Sequence, residues 1–260
     1  MYDLLQIAKL LVFRHTTSGY TVFLYFCSME KQERLFSLPH FTWWDWFLIA
    51  EFIIMSLAVS MLPQNSFNAL SFIAGVFSIL CIIFGCKGNS LNFVCGLIGS
   101  AIQGYMALES GLYANAVLFL LYNVPMQFIG FFQWRKRRLQ TEEDGIRTRW
   151  MNWWQRVLLV VLSVAAVWTV SRILHGTDDP QPVSDAMAMT AAVGAQLLLT
   201  LAFVEQWFMW LVVNGTQLVM WSIAMTRGVP YAPILMIQYV FYTMNSIYGI
   251  ILWSRMSKKR

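Results

Sequence analysis

The chain holds 260 residues, 58% of them hydrophobic and 12% charged, with a net charge of +5. That charged share is about half of what a soluble domain carries, so the composition excludes a soluble enzyme and points to a polytopic membrane protein. The pI of 9.1 invites a nucleic-acid reading, but the basic residues cluster beside apolar runs, where membrane topology accounts for them, and no nucleic-acid partner is expected.

Residues 1–42 come first. The stretch 4–13, LLQIAKLLVF, is apolar, but Lys9, Arg14 and His15 interrupt any 20-residue span. It is expected to form an amphipathic helix lying on the inner membrane surface, and no small-residue cleavage site marks it as a signal peptide. Trp43, Trp44 and Trp46 then mark the interface where the first span begins. Eight apolar runs follow, at 43–62, 66–86, 89–108, 112–134, 153–174, 185–203, 206–225 and 229–253, each long enough to cross a hydrocarbon core of about 30 Å. With the N-terminus placed in the cytoplasm, 16 of the 18 Lys and Arg fall on the cytoplasmic side, and only Arg172 and Arg227 land outside. Both termini are therefore predicted to be cytoplasmic.

The expected fold is all-α and integral to the membrane, with two duplicated three-helix bundles joined by a linking helix. The segments are 1–42, a cytoplasmic amphipathic stretch; 43–62, an additional transmembrane helix; 63–138, the first repeat; 139–180, a loop and the linking helix; and 181–260, the second repeat with a basic tail. Two polar stripes carry the argument. Asn89, Asn92, Gly96, Gly99 and Gln103 step by 3, 4, 3, 4, and so do Trp207, Trp210, Asn214, Gln217 and Trp221, at an offset of 118 residues. At about 100° per residue each set covers one helix face of roughly 80°. At an offset of 119, Asn123 pairs with Tyr242, Met126 with Asn245, Gly130 with Gly249 and Trp134 with Trp253, so the offset slips by about one residue between helices. Both triplets start outside and finish inside, which makes them parallel repeats that need one linking helix.

Lipid offers amides and indoles no hydrogen-bond partner, so one-sided polar stripes are expected to face a cavity. The candidate substrate-binding residues are Trp207, Trp210, Asn214, Gln217 and Trp221 on the seventh run, and Gln238, Tyr242 and Asn245 on the eighth. Their counterparts in the first half are Asn92, Gln103, Tyr122, Asn123 and Gln127, with Gln196 as a lone amide on the sixth run. Tyr239 and Tyr248 point away from the eighth-run stripe. Pro125 frees a carbonyl inside its helix and reads as a hinge or a tolerated bend. No Lys or Arg lies in the middle of a span, so a phosphate would find no partner there. The repeats also lack a buried carboxylate, which predicts transport without proton coupling. The cysteines have no metal-ligand spacing with a His, and no nucleophile has a base, so neither metal, cofactor nor catalysis is expected.

The segments VEQWFMWLVVN (204–214) and GLYANAVLFLLYNVPMQFIGFFQW (111–134) resemble the PnuC family of vitamin transporters, and the resemblance extends over about residues 66–255. It implies a three-one-three fold similar to that of the sugar-transporting SWEET proteins, in a different topological arrangement. It also implies facilitated diffusion of nicotinamide riboside across a bacterial inner membrane, trapping by a cytoplasmic riboside kinase, and a homo-oligomer, expected to be a trimer. Thiamine, riboflavin or another small unphosphorylated nutrient are the alternative cargoes. The family's WxxW(x3)N pattern maps onto Trp207, Trp210 and Asn214. The extra first span departs from the family's seven-helix minimum.

Overall fold

The computed structural model describes residues 38–62, 68–109, 116–139, 146–177, 181–228 and 232–258. The surface helix expected near the N-terminus lies outside the described residues. The elements are α1 (Trp43–Ser60), α2 (Ala69–Cys86), α3 (Leu91–Glu109), a π-helix (Leu118–Asn123) running into α4 (Val124–Leu139), α5 (Trp153–Leu174), α6 (Pro182–Thr200), α7 (Gln206–Thr226) and α8 (Ala232–Lys258). Among the described residues there is no strand, and seven helices are long and apolar enough to cross a membrane, so the protein is a multi-pass membrane protein.

Of the eight expected spans, the fourth, 112–134, is the broken one. Val124 donates its N–H to Phe119 O, one residue beyond the α-helical partner. Pro125 explains the break, because it has no N–H and its ring crowds the carbonyl four residues earlier. A π turn widens the helix at that place.

Local chemistry sets the helix starts. Thr42 caps α1: its Oγ1 accepts from Asp45 N at 3.4 Å, and Thr42 N donates back to Asp45 Oδ2 at 2.6 Å. Asp45 also holds Lys87 Nζ at 2.7 Å, which ties the start of α1 to the end of α2. Asn68 Oδ1 caps α2 by accepting from Ser71 N. Pro182 opens α6, where a missing N–H costs nothing.

Helix pairs α2–α3 and α6–α7 are joined by turns with one shared hydrogen-bond pattern. Asn89 N donates to Phe84 O and Phe203 N to Leu198 O, both at 2.9 Å. The turning residues are Gly88 (φ 63°) and Ala202 (φ 58°), both left-handed. They lie 114 residues apart, four fewer than the offset read from the polar stripes. The segment before α5 crosses both turns. Ile146 N donates to Gly88 O at 3.2 Å, Arg149 N to Ala202 O at 3.0 Å, and Val204 N returns to Arg149 O at 3.0 Å. Thr148 Oγ1 adds a bond to Trp253 O at 2.7 Å.

Trp134 and Trp253, 119 residues apart, make matching contacts. Trp134 at the end of α4 donates to Leu199 O and Thr200 O of α6, each at 3.2 Å. Trp253 of α8 donates to Gly85 O of α2 at 3.0 Å. The two buried indoles meet with ring centroids 5.9 Å apart. They anchor a core that also contains Phe93, Leu199, Ile146 and Trp207. Helix α1 lies outside this arrangement, against α2 and α8, and α5 packs on α6 with most of its aliphatic residues facing outward.

Gly88 has a left-handed backbone, and a Cβ there would sit 3.0 Å from Ile146 Cγ2. Gly88→Ala is expected to lower stability by about 1–2 kcal/mol, read as a lower unfolding temperature of the detergent-solubilised protein.

Candidate substrate-binding cavity

Between α2, α3, α4, α6, α7 and α8 lies a cavity of about 320 Å³. Its walls contain indoles, amides, hydroxyls and aliphatic groups. No Asp, Glu, Lys, Arg or His is among the residues that line it.

Helix α7 supplies the densest wall, with Gln206, Trp207, Trp210 and Asn214. The four fall on one side because 3- and 4-residue steps return to the same face. Trp207 belongs both to the cavity wall and to the aromatic core. Its ring packs edge-on to Trp253 with centroids 5.9 Å apart, and it lies flat on the backbone of Gly249. Phe93 meets Trp134 and Gly130 in the same way on the other side, with ring centroids 4.8 Å apart. Trp210 Nε1 donates to Gln206 Oε1 at 3.2 Å, which orients the indole.

Helix α8 contributes Tyr239, Tyr242, Asn245 and Ser246. Tyr242 OH accepts from Gln238 Nε2 at 2.8 Å. Asn214 Nδ2 donates to Ser246 Oγ at 3.1 Å, which in turn donates to Tyr242 O at 2.9 Å. Asn245 Oδ1 accepts from Trp44 Nε1 of α1 at 3.4 Å, and its Nδ2 reaches Cys86 Sγ at 3.5 Å. The first half adds Asn123, Gln127, Ser100 and Gln103, whose Nε2 donates to Ser78 Oγ at 3.1 Å.

Four polar atoms of the wall are buried without a partner: Gln127 Oε1, Gln196 Nε2, Gln206 Nε2 and Trp207 Nε1. Leaving such groups unpaired costs about 1–3 kcal/mol each. All four belong to residues that line the cavity.

The structure brings together nine of the sequence candidates: Trp207, Trp210, Asn214, Tyr242, Asn245, Gln103, Asn123, Gln127 and Gln196. Five do not reach the wall. Tyr122 OH donates instead to Val193 O at 2.6 Å, joining the π-helix to α6. Asn92 is fully buried beside Gly85, at the turn end of α3. Gln238 acts through Tyr242. Gln217 and Trp221 lie further along α7, past the cavity, with Trp221 against Tyr239. Tyr239 itself lines the cavity, contrary to the expectation that it points away. Gln206, Ser246, Ser78 and Ser100 were not singled out from sequence. The signal for Gln206 was its place beside Trp207, at the first residue of α7.

A profile of the family described as "Nicotinamide mononucleotide transporter" matches residues 68–255. The nicotinamide riboside transporter PnuC of Neisseria mucosa is 30% identical over 242 residues, covering 88% of this chain and 91% of its own. The transporter of the same name from Haemophilus influenzae is 27% identical, covering 81% of this chain and 89% of its own. The chain belongs to the PnuC family. A crystal structure of the vitamin B3 transporter PnuC matches the fold with a TM-score of 0.68 and 28% identity, covering 88% of this chain and 98% of that one. The PnuC relatives are named as transporters, which supports a transporter rather than an enzyme.

A Cβ on Gly249 would come within 2.5 Å of the Trp207 ring. Gly249→Ala is expected to destabilise the protein by about 1–3 kcal/mol through overpacking, measured by thermal unfolding in detergent.

Proposed function

We propose that the protein carries nicotinamide riboside into the cytoplasm by facilitated diffusion, and that phosphorylation by a cytoplasmic riboside kinase traps it there. The observation that carries this reading is the cavity wall, which has two indoles, two phenols and a set of amides but no Asp, Glu, Lys, Arg or His among the described residues that line it. Indole faces suit a flat pyridinium ring, and amides suit a carboxamide and ribose hydroxyls. The cavity volume of about 320 Å³ falls at the lower end of small-molecule sites.

The two names attached to the family differ by a phosphate. A mononucleotide would bring that group into a wall with no Lys or Arg, where a charged phosphate goes unpaired. The riboside avoids this cost. Trp207, Trp210 and Tyr242 enclose the ring in this reading. Asn214, Gln127 and Asn245 bind the carboxamide and hydroxyls, and the unpartnered Gln196 and Gln206 amides join them.

We read the architecture as three-one-three and SWEET-like, with residues 63–138 and 181–260 as parallel repeats, α5 as the linking helix and α1 as an addition. The matching turns at Gly88 and Ala202 and the matching roles of Trp134 and Trp253 support this. The distribution of Lys and Arg supports both termini inside, and the bacterial PnuC relatives support an inner membrane. The outward-facing aliphatic surface of α5 is compatible with lipid and with a homotrimer.

In proteoliposomes, labelled nicotinamide riboside is expected to equilibrate without a proton or sodium gradient, whereas the mononucleotide should not enter. Uphill accumulation that needs an ion gradient would overturn the facilitated-diffusion reading. Preferential uptake of thiamine or riboflavin would change the cargo. Asn214→Ala is expected to weaken riboside binding roughly tenfold, measured by thermal shift or calorimetry. Unchanged binding removes Asn214 from the site.

A further inference from the structure

The cavity wall is uncharged, yet one carboxyl group is buried on the helix that packs behind it. Glu51 is on α1, which packs against α2 and α8. It is only 5% exposed, and both of its carboxyl oxygens are buried without a hydrogen-bond partner. The ion pair of α1 with the end of α2 is made by Asp45 and Lys87, not by Glu51. The membrane stretches of α2 and α8 bring it no Lys, Arg or His. Their titratable groups are Cys81, Cys86, Tyr239, Tyr242 and Tyr248. Of these, Tyr242 packs against the apolar cluster of α1 and α2 that contains Leu48 and Phe52, which flank Glu51 along α1. Tyr242 lines the cavity.

A carboxylate in such a place is costly to ionise alone. A positive charge on the far side of the tyrosine wall lowers that cost, and a low-dielectric wall screens the attraction far less than water does. The same attraction is absent for an uncharged ligand of identical shape. We propose that Glu51 is a specificity-determining residue, the counter-charge through which the cavity selects a cationic ring over an uncharged one. This rests on the nutrient reading of the cavity and names the charge that the nutrient must carry. The group acts through space and does not touch the ligand.

The test uses the full chain in detergent and two ligands of nearly the same shape, nicotinamide riboside and its uncharged dihydropyridine form. Binding of both is measured by calorimetry to the parent protein, Glu51→Gln and Glu51→Asp. The parent should prefer the cation. Glu51→Gln should weaken the cation roughly tenfold and leave the uncharged form within about twofold. Glu51→Asp should keep most of the preference. Retained binding of the uncharged form shows that Glu51→Gln is folded. Equal loss of both forms, or an unaltered preference in Glu51→Gln, overturns the proposal. A parent protein that binds both forms equally also overturns it, while leaving the nutrient reading intact. A parent that binds neither form overturns the nutrient reading and the proposal with it.

Discussion

Two indole N–H groups tie the helices together at one end of the molecule. Trp253 of α8 donates to the last turn of α2, and Trp134 of α4 donates to the last turn of α6. Helix ends leave carbonyls without intrahelical partners, and in a membrane protein no water replaces them cheaply. Each indole satisfies one such end while packing its ring in the core. The hydrophobic effect gives little preference between helix and lipid, so these bonds and the close contacts at Gly130 and Gly249 set where the helices stand. With the two indoles in contact at one end, the helices leave a hollow beside them rather than closing on a continuous core.

That hollow is polar without being charged, and its polarity is rationed. Three of the seven amides on the wall donate to or accept from a neighbour on another helix or turn: Asn214 with Ser246, Gln103 with Ser78, Asn245 with Trp44 and Cys86. Such bonds fix rotamers, so the remaining unpartnered atoms are held in place before any ligand arrives. Preorganisation of this kind reduces the ordering cost of binding. Helix α1 joins in, since Trp44 reaches Asn245 from outside the six-helix wall.

Much of this was legible in the sequence, and the failures have physical causes. Helix spans follow from hydropathy, and α5 matched its expected bounds because apolar residues run to both ends. The WxxWxxxN run placed Trp207, Trp210 and Asn214 on the wall, since polar groups on one face of an apolar helix have nowhere else to go. The stripe offset of 118 stands one helical turn from the 114 residues that separate the two turning residues. A stripe of 3- and 4-residue steps looks the same when moved by four residues, so periodicity alone cannot set its register. The turns at Gly88 and Ala202 do set it, but a left-handed Ala carries no sequence signature. The stripe also says nothing about depth, and Gln217 and Trp221 share its face yet run past the hollow. Tyr122 moved because the π turn rotates the residues before Pro125. Gln206 was hidden by its neighbour, as a single polar residue at a helix start reads as an interfacial one.

The short segment from Ile146 to Arg149 bonds to both turning residues at once. A single hasp therefore closes over two hinges. Any rearrangement that parts the turns must strip partners from buried backbone groups, at about 1–3 kcal/mol for each one left bare. At this end the two turns therefore move together, or the hasp lifts first.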